Sequence, residues 1–196
     1  MNFKSFIIFL FLLNLKFIQG YSIEPDVFVQ STVNRASQVL SKNLSREDKI
    51  NELKFIAKET VDIKGVGFYS LGANRENLNE DQKIQYLNLF EAYFLKSFSS
   101  RLAEYTNPEI DVIGKEVLNK NYTIVNSLLV ATNERPEVKI DWRIYTKNPD
   151  NPLIRDLIIE GLSLARTQKE EFNSILNSND YDINALFEAL KNFTKN

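Results

Sequence analysis

Apolar and polar residues alternate strictly along residues 138–144. The even positions are Val138, Ile140, Trp142 and Ile144, and the odd positions are Lys139, Asp141 and Arg143. A period of two places these two sets on opposite faces of a β-strand. Residues 147–152 are rich in Asn, Asp and Pro, which favour a turn, and residues 153–160 are again mostly apolar. We therefore predict an antiparallel β-hairpin here.

Two further strands are predicted upstream, over residues 110–118 and 123–132. The second carries apolar residues on both faces, with Ile124, Leu128 and Val130 on one face and Val125, Leu129 and Ala131 on the other. A strand of this kind usually lies inside a sheet that is covered on both sides. Together with the hairpin, these strands predict an antiparallel sheet of about four strands.

Helical periodicity predicts N-terminal helices before the sheet and C-terminal helices after it. Pro25 opens an apolar stripe over residues 25–40, and Ser45 followed by Asp48 predicts the capped start of a second helix. After the hairpin, Ser163 and Asp182 are the expected N-caps of two more helices. The predicted fold class is therefore α+β.

The longest predicted helix, about residues 80–105, begins with a capping box formed by Asn79 and Gln82. Its apolar stripe comprises Ile84, Leu87, Phe90, Phe94, Phe98, Leu102 and Tyr105, and Tyr86, Leu89, Tyr93 and Leu95 widen it. Burial in an ordinary core is the commonest explanation of such a stripe. A stripe this wide, facing a sheet surface that includes Leu128, Ile140 and Trp142, can also enclose an apolar cavity that binds hydrocarbon.

Residues 61–72 form a short apolar segment that is rich in glycine. Glycine destabilises a helix by about 1 kcal/mol relative to alanine, so we expect another group to approach the backbone closely here. The spacing of the glycines fits neither a P-loop nor a dinucleotide-binding fingerprint.

Residues 156–164, DLIIEGLSL, resemble the hallmark run of the MlaC family of periplasmic phospholipid-binding proteins. That run consists of an aspartate, three apolar residues, a glutamate, a glycine, an apolar residue and a serine. Val61, Asp62, Leu71 and Gly72 resemble a second family segment, and the long aromatic helix resembles a third. The resemblance extends over roughly residues 25–190, in the family's order of elements.

The resemblance implies a periplasmic carrier that shuttles diacyl phospholipid between an outer-membrane lipoprotein complex and an inner-membrane ABC transporter of the Mla type. It implies buried acyl chains and a headgroup left in water without headgroup-specific residues. Since no residue cluster supports catalysis or metal binding, we expect no enzymatic activity and no cofactor or metal besides the lipid cargo. We expect the protein to act as a monomer. The residues expected to line the lipid pocket are Phe68, Leu71, Phe90, Phe94, Phe98, Leu128, Val130, Ile140, Trp142 and Ile158.

The start of the chain has the features of a secretory signal. Lys4 precedes an uninterrupted apolar run over residues 6–13, and Ile18 and Gly20 suit a signal-peptidase site. Residues 1–20 are therefore predicted to be cleaved, which leaves residues 21–196 as a single domain. An uncleaved anchor is the weaker alternative, because the run is shorter than the roughly 20 apolar residues that span a bilayer.

Charge and composition narrow the possible partners and chemistries. Removal of Lys4 and Lys16 leaves 22 of the 24 basic residues against 26 acidic ones, a net charge of −4 that argues against nucleic acid as a partner. The chain contains no cysteine and no histidine, which excludes disulfides, Ser–His and Cys–His dyads and the usual zinc sites. No Asp-x-Asp-x-Asp loop for calcium is present either.

Two other functional hypotheses stay open at this level. The first is a small α+β enzyme in which Asp156 and Tyr145 form an acid–base pair inside an apolar pocket. The second is a lipid-free exported adaptor that binds its partners through an acidic surface. A test for bound lipid separates the carrier from both.

Overall fold

Six α-helices and five β-strands make up the part of the chain that the computed structural model describes, residues 22–195. The N-terminal block consists of α1 (Pro25–Ser41), α2 (Arg46–Thr60), α3 (Ile63–Leu71), a 3₁₀-helix (Gly72–Asn77) and α4 (Glu80–Leu102). The sheet consists of β1 (Ile110–Asn119), β2 (Tyr122–Leu129), β3 (Val138–Tyr145), β4 (Leu153–Ile159) and β5 (Leu162–Ser163). The C-terminal helices are α5 (Leu164–Asn177) and α6 (Ile183–Lys195).

This order of elements confirms the predicted α+β fold. The predicted signal peptide, residues 1–20, lies outside the described residues. Within residues 22–195, no helix is both long enough and apolar enough to cross a membrane.

Side-chain caps begin three of the helices at the predicted residues. The Ser45 hydroxyl accepts a hydrogen bond from the backbone N–H of Asp48 and donates one to its carboxylate, at 3.1 and 2.7 Å. Asn79 and Gln82 form both halves of the capping box of α4. Ser163 caps α5. These caps satisfy backbone N–H groups that have no partner within the first turn of a helix, and so fix where each helix begins.

The strands form one antiparallel sheet in the order β1-β2-β3-β4-β5, one strand more than the number predicted. The additional strand, β5, pairs with the end of β4. Glu160 and Gly161 join the two strands, and both have positive φ, 49° and 83°. Two such residues make a tight turn whose twist suits adjacent antiparallel strands. Because β5 has only two residues, the apolar pattern does not reveal it.

The sheet has one buried face and one half-exposed face. On β3, Ile140, Trp142 and Ile144 are buried, as the alternation predicts. On β2, only one of the two faces is buried, so the prediction that both faces of this strand are covered is wrong. Leu128 pairs directly with Lys139, and directly paired residues share a face of the sheet. Leu128 therefore lies on the half-exposed face, opposite Ile140, contrary to the prediction.

Helix α4 is the central helix of the fold. Its buried face passes through Tyr86 and Phe90, whereas Ile84, which the predicted stripe includes, is 59% exposed. Residues two positions apart lie on nearly opposite sides of a helix, so Ile84 and Tyr86 cannot both face the core. The helix ends at Leu102, and Tyr105 lies beyond it.

Glycine in α3 permits α4 to come close. A Cβ atom on Gly67 would lie 2.8 Å from Cδ1 of Phe90, which is closer than real Cβ atoms come. The Tyr86 hydroxyl also donates a hydrogen bond of 2.8 Å to the Gly67 carbonyl. The close approach expected for the glycine-rich segment is therefore confirmed, and the approaching group is the aromatic face of α4.

Candidate functional site

Two adjoining cavities lie between the buried face of the sheet and the helices. Cavity 1, of about 960 Å³ including the space at its mouth, lies between α4, α5 and the β3–β4 hairpin. Cavity 2, of about 880 Å³ including its open mouth, lies between α1, α2, the C-terminal part of α4 and the sheet. The residues that line both are Val61, Phe98, Trp142, Ile154 and Leu157. The two cavities therefore share one apolar wall.

Three phenylalanines of α4 form a continuous aromatic surface along cavity 1. Phe90, Phe94 and Phe98 are spaced by four residues, which places them on one side of the helix. The ring centroids of Phe90 and Phe94 are 6.1 Å apart, and those of Phe94 and Phe98 are 5.4 Å apart with the planes inclined by only 10°. Offset stacking of this kind is a favourable arrangement of aromatic rings.

Trp142 contributes the sheet's largest side chain to the shared wall, and it is the single tryptophan of the chain. Its indole N–H donates a hydrogen bond of 2.8 Å to the Ser127 hydroxyl, which in turn donates to the Ile140 carbonyl at 3.0 Å. A buried indole needs an acceptor of this kind. The buried Ser127 of β2 therefore holds the tryptophan ring in place at the cavities.

Cavity 2 has the chemistry of a hydrocarbon site. Apart from Trp142 and Tyr105, its polar side chains are Thr32, Ser37 and Thr60, and each of these hydroxyls donates to a backbone carbonyl at 2.8–2.9 Å. No charged side chain from residues 22–195 lines this cavity. A space that lacks charges and whose serine and threonine hydroxyls are already paired offers little to water and suits an alkyl chain.

Cavity 1 differs because one of its edges is polar. Six side chains form this edge, which we call the rim: Tyr93, Ser97 and Arg101 from α4, and Thr167, Gln168 and Glu171 from α5. The Tyr93 hydroxyl donates to the Gln168 side-chain carbonyl at 2.8 Å, and the Gln168 amide donates to the Glu171 carboxylate at 3.0 Å. Within the rim, Gln168 thus links Tyr93 of α4 to Glu171 of α5, and the bond between Tyr93 and Gln168 joins the two helices.

Asp156, the first residue of the hallmark run, anchors α5 to β4. Its carboxylate accepts hydrogen bonds from the Ser163 hydroxyl at 2.6 Å and from the Ala165 backbone N–H at 3.0 Å. Tyr145 has a different partner, since the guanidinium of Arg155 lies 3.8 Å above its ring. These contacts give Asp156 a structural role and do not support the hypothesis of an Asp156–Tyr145 acid–base pair.

Arg155 and Asp62 tie α3 to β4 beside cavity 1. Nε and Nη2 of Arg155 lie 2.7 and 2.6 Å from the Asp62 carboxylate, which also accepts from the Gly65 N–H at the start of α3. Burial disfavours the charge of Arg155, but the hydrogen bond and the negative charge of Asp62 outweigh it, so the pKa of Arg155 is raised above its usual value. The pair keeps α3 in place as one wall of the cavity.

A match to a known protein family identifies the family of this chain. A family model described as MlaC protein matches residues 30–192. The chain belongs to the MlaC family. This confirms the family resemblance of the DLIIEGLSL run, and the anchoring contacts of Asp156 and Ser163 give that run a structural role in this MlaC family member.

A solved structure has the same fold as this MlaC family member. It is described as the phospholipid-binding protein from Ralstonia solanacearum in complex with a phospholipid. The two chains are 17% identical, with a TM-score of 0.74, and the match covers 88% of this chain and 98% of that chain. At this level of identity, the likeness establishes a shared fold over nearly the whole of both chains.

The structure brings half of the predicted pocket residues of this MlaC family member together at the cavities. These are Phe90, Phe94, Phe98, Ile140 and Trp142. The other five, Phe68, Leu71, Leu128, Val130 and Ile158, line neither cavity. Leu71 is fully buried in the core, and Phe68 packs against that core from α3.

A β-bulge explains why Ile158 lines neither cavity. Arg143 pairs with Asp156, but the next residue of β3, Ile144, pairs with Ile154, so Arg155 is an extra residue. An extra residue reverses the alternation of faces along the rest of β4. Leu157 and Ile159 therefore point to the cavities. Ile158, like Leu128 and Val130, is half-buried and lines neither cavity.

Several lining residues were not predicted. They include Val61, Ile154 and Leu157 in the shared wall and Arg101, Gln168 and Glu171 in the rim. The rim residues of α4 recur at steps of four, and Gln168 and Glu171 of α5 are three residues apart. Such spacing indicates a common side of each helix, but it does not indicate the edge of a cavity. Leu157 could not be found from the sequence, because nothing in it signals the bulge at Arg155.

Proposed function

We propose that this MlaC family protein binds a diacyl phospholipid. The acyl chains occupy cavities 1 and 2, and the headgroup stays at the rim of cavity 1. The observation that carries this proposal is the pair of adjoining apolar cavities with a common wall of Phe98, Trp142 and Leu157. The phospholipid described in complex with the Ralstonia solanacearum protein of the same fold supports it.

The energetics suit reversible carriage of lipid. Two chains of about sixteen carbons bring roughly 30 methylenes, and at about 0.8 kcal/mol each their burial is worth on the order of 20 kcal/mol. A bilayer provides nearly the same gain. Uptake and release are therefore close to balanced, and net transport in one direction requires energy from a partner.

The setting that we propose is the periplasm, reached by export with the predicted signal at residues 1–20. There the protein would shuttle phospholipid between an outer-membrane lipoprotein complex and an inner-membrane ABC transporter complex, as a monomer and without catalysing a reaction. Membership of the MlaC family supports this setting. The role of the cavities does not depend on which complexes lie at either end.

Native mass spectrometry of protein purified without detergent tests the proposal. We expect a co-purifying mass in the range of a diacyl phospholipid, together with extractable lipid phosphate. Leu157→Trp fills the shared wall and should lower the lipid-bound fraction. Ile158→Trp is the matched control, because this neighbouring residue lines neither cavity. A lipid-free mass in every preparation, or equal occupancy in both variants, would contradict the proposal.

A further inference from the structure

The rim of cavity 1 meets whatever part of a ligand stays outside the apolar cavities. On the proposed function that part is a phospholipid headgroup, and headgroup selection at the rim rests on that function. We propose that the rim selects zwitterionic phospholipids whose headgroup carries a primary ammonium, with Arg101 facing the phosphate and Glu171 facing the ammonium. Selection of this kind goes beyond the family resemblance, which implies a headgroup left in water.

Of the charged side chains around cavity 1, two are already held by partners within the protein and two are not. In the part of the chain that the structure describes, four charged side chains line the cavity: Arg101, Arg155, Asp156 and Glu171. Arg155 is bound to Asp62, and Asp156 accepts from two donors at the start of α5. Among residues 22–195, neither Arg101 nor Glu171 takes part in a salt bridge. One positive and one negative charge are therefore available to a ligand.

These two charges lie around one spot on the rim. Arg101 belongs to α4 and Glu171 to α5, and the Tyr93 hydroxyl lies within the electrostatic reach of both. Burial raises the pKa of Tyr93 most, the negative charge of Glu171 raises it further, and the positive charge of Arg101 lowers it. Gln168 joins Tyr93 to Glu171 by two hydrogen bonds, which limits how far the carboxylate can move from the cavity.

The chemistry of the two side chains matches the two charges of a zwitterionic headgroup. A guanidinium is suited to phosphate because its N–H groups can bond two oxygens at once. A carboxylate accepts hydrogen bonds and binds an ammonium group. In an anionic headgroup, the phosphate is joined to a group that has hydroxyls but no ammonium. Its phosphate would bind Arg101, but Glu171 would have no positive partner and would lie near the negative phosphate.

Competitive loading measures the selection directly. Delipidated protein is incubated with vesicles that contain equal amounts of phosphatidylethanolamine and phosphatidylglycerol with identical acyl chains. The bound lipid is then extracted and the two headgroups are quantified by mass spectrometry. Because both rim charges are exposed and screened, we expect an enrichment of phosphatidylethanolamine of about threefold, the size typical of exposed ion pairs.

The variants identify the residues responsible. Glu171→Gln should abolish the enrichment, and Glu171→Lys should reverse it in favour of phosphatidylglycerol. Arg101→Gln should weaken retention of both lipids by a similar factor, since both carry the phosphate. Glu170→Gln and Arg166→Gln are matched controls, because both residues are exposed on α5 and line neither cavity.

The possible results separate this inference from the proposed function. Uptake of both lipids in the vesicle ratio would overturn headgroup selection and leave lipid binding intact. Absence of any lipid uptake would overturn both. An equal effect of Glu170→Gln and Glu171→Gln would also overturn the inference, because it would show a general effect of surface charge. Loss of the enrichment in Glu171→Gln alone would support it.

Discussion

The two halves of α4 have similar aromatic sequences and very different surroundings. In the first half, Tyr86 and Phe90 are almost completely buried, and both rings meet Phe172 of α5 edge-on. Phe90 lines cavity 1 as well but is only 1% exposed, whereas Phe94 and Phe98 of the second half line the same cavity and are half-buried. The periodicity of apolar residues thus specifies which side of a helix faces inwards. It does not specify whether that side meets other side chains or an empty space.

The difference arises from the neighbours of α4. In the first half, Gly67 has no side chain, so α3 lies directly against Phe90. In the second half, the sheet presents Trp142 and Leu157 to Phe98 across the cavities. Stability should therefore depend mainly on the first half, and ligand capacity on the second.

The largest expected effect is that of Tyr86→Ala. The substitution removes a fully buried ring and its hydrogen bond to Gly67, so we expect the free energy of unfolding to fall by about 3–5 kcal/mol. Urea denaturation of lipid-free protein measures it. A loss no greater than that caused by Phe98→Ala would contradict the assignment of stability to the first half of α4.

Phe98→Ala tests the second half by the same method. One side of this ring already borders empty space, so its removal forfeits fewer contacts, and we expect a loss of about 1–2 kcal/mol in lipid-free protein. The stabilisation by added phospholipid should decrease at the same time, because the shared wall is lost. A loss of stability as large as that of Tyr86→Ala would indicate a filled interior at this position.

Gly67→Ala tests whether the close approach of α3 to Phe90 accounts for the tight packing around the first half of α4. The new methyl group would press on Phe90, and overpacking typically costs about 1–3 kcal/mol, against a gain of about 1 kcal/mol in helix propensity. We expect a net destabilisation of about 1 kcal/mol in thermal or urea unfolding. Gly114→Ala is the control, because its Cβ would meet only Asn126, at an ordinary 3.9 Å. Equal effects in the two variants would argue against close helix contact as the reason for Gly67.

The smallest effect concerns the polar surface that links α1 to β1. The hydrogen bond from Lys115 is the main cause that lowers the pKa of Asp26 below 3.8. When the pKa of a carboxyl group is lower in the folded than in the unfolded state, its ionisation stabilises the folded protein at pH values above the unfolded-state pKa. This contribution is lost as the pH falls through the folded-state pKa. Both side chains are about one-third exposed, so solvent screening reduces the contribution to a few tenths of a kcal/mol.

The Asp26→Asn variant should therefore be slightly less stable than the natural protein at about pH 6 and equally stable at about pH 2. Urea unfolding at the two pH values measures the difference. Asp111→Asn, which removes an exposed carboxylate that has no salt bridge within residues 22–195, should show no such change. A difference for Asp26→Asn that persists at low pH would point to a cause other than its ionisation.

Local signals predicted most of the fold. Helix starts follow from short-range capping pairs such as Asn79 with Gln82, and the faces of β3 follow from strict alternation, so both can be read from neighbouring residues. The two-residue strand β5 could not be predicted, because it depends on the pairing of Ile159 with Leu162 across a turn. Its existence is a property of the assembled sheet.

The site was less predictable for a physical reason. On β2, polar Ser127 is buried because it accepts the Trp142 N–H, while apolar Leu128 points to the half-exposed face. On β4, the bulge at Arg155 exchanges the faces of Leu157 and Ile158. Both assignments depend on contacts between strands, which a pattern along one strand does not contain. The phenylalanines of α4 line one cavity together, as the periodicity predicts, because one uninterrupted helix fixes their common side.

Fluorescence of Trp142 tests the central claim most directly, because this residue is the only tryptophan and lies in the wall between the two cavities. Delipidated protein is loaded either with a phospholipid brominated in the middle of its acyl chains or with the matched unbrominated lipid. Bromine quenches tryptophan only at close range, so the account predicts strong quenching by the brominated lipid at equal occupancy. Equal emission with both lipids bound would show that the acyl chains do not enter the cavities.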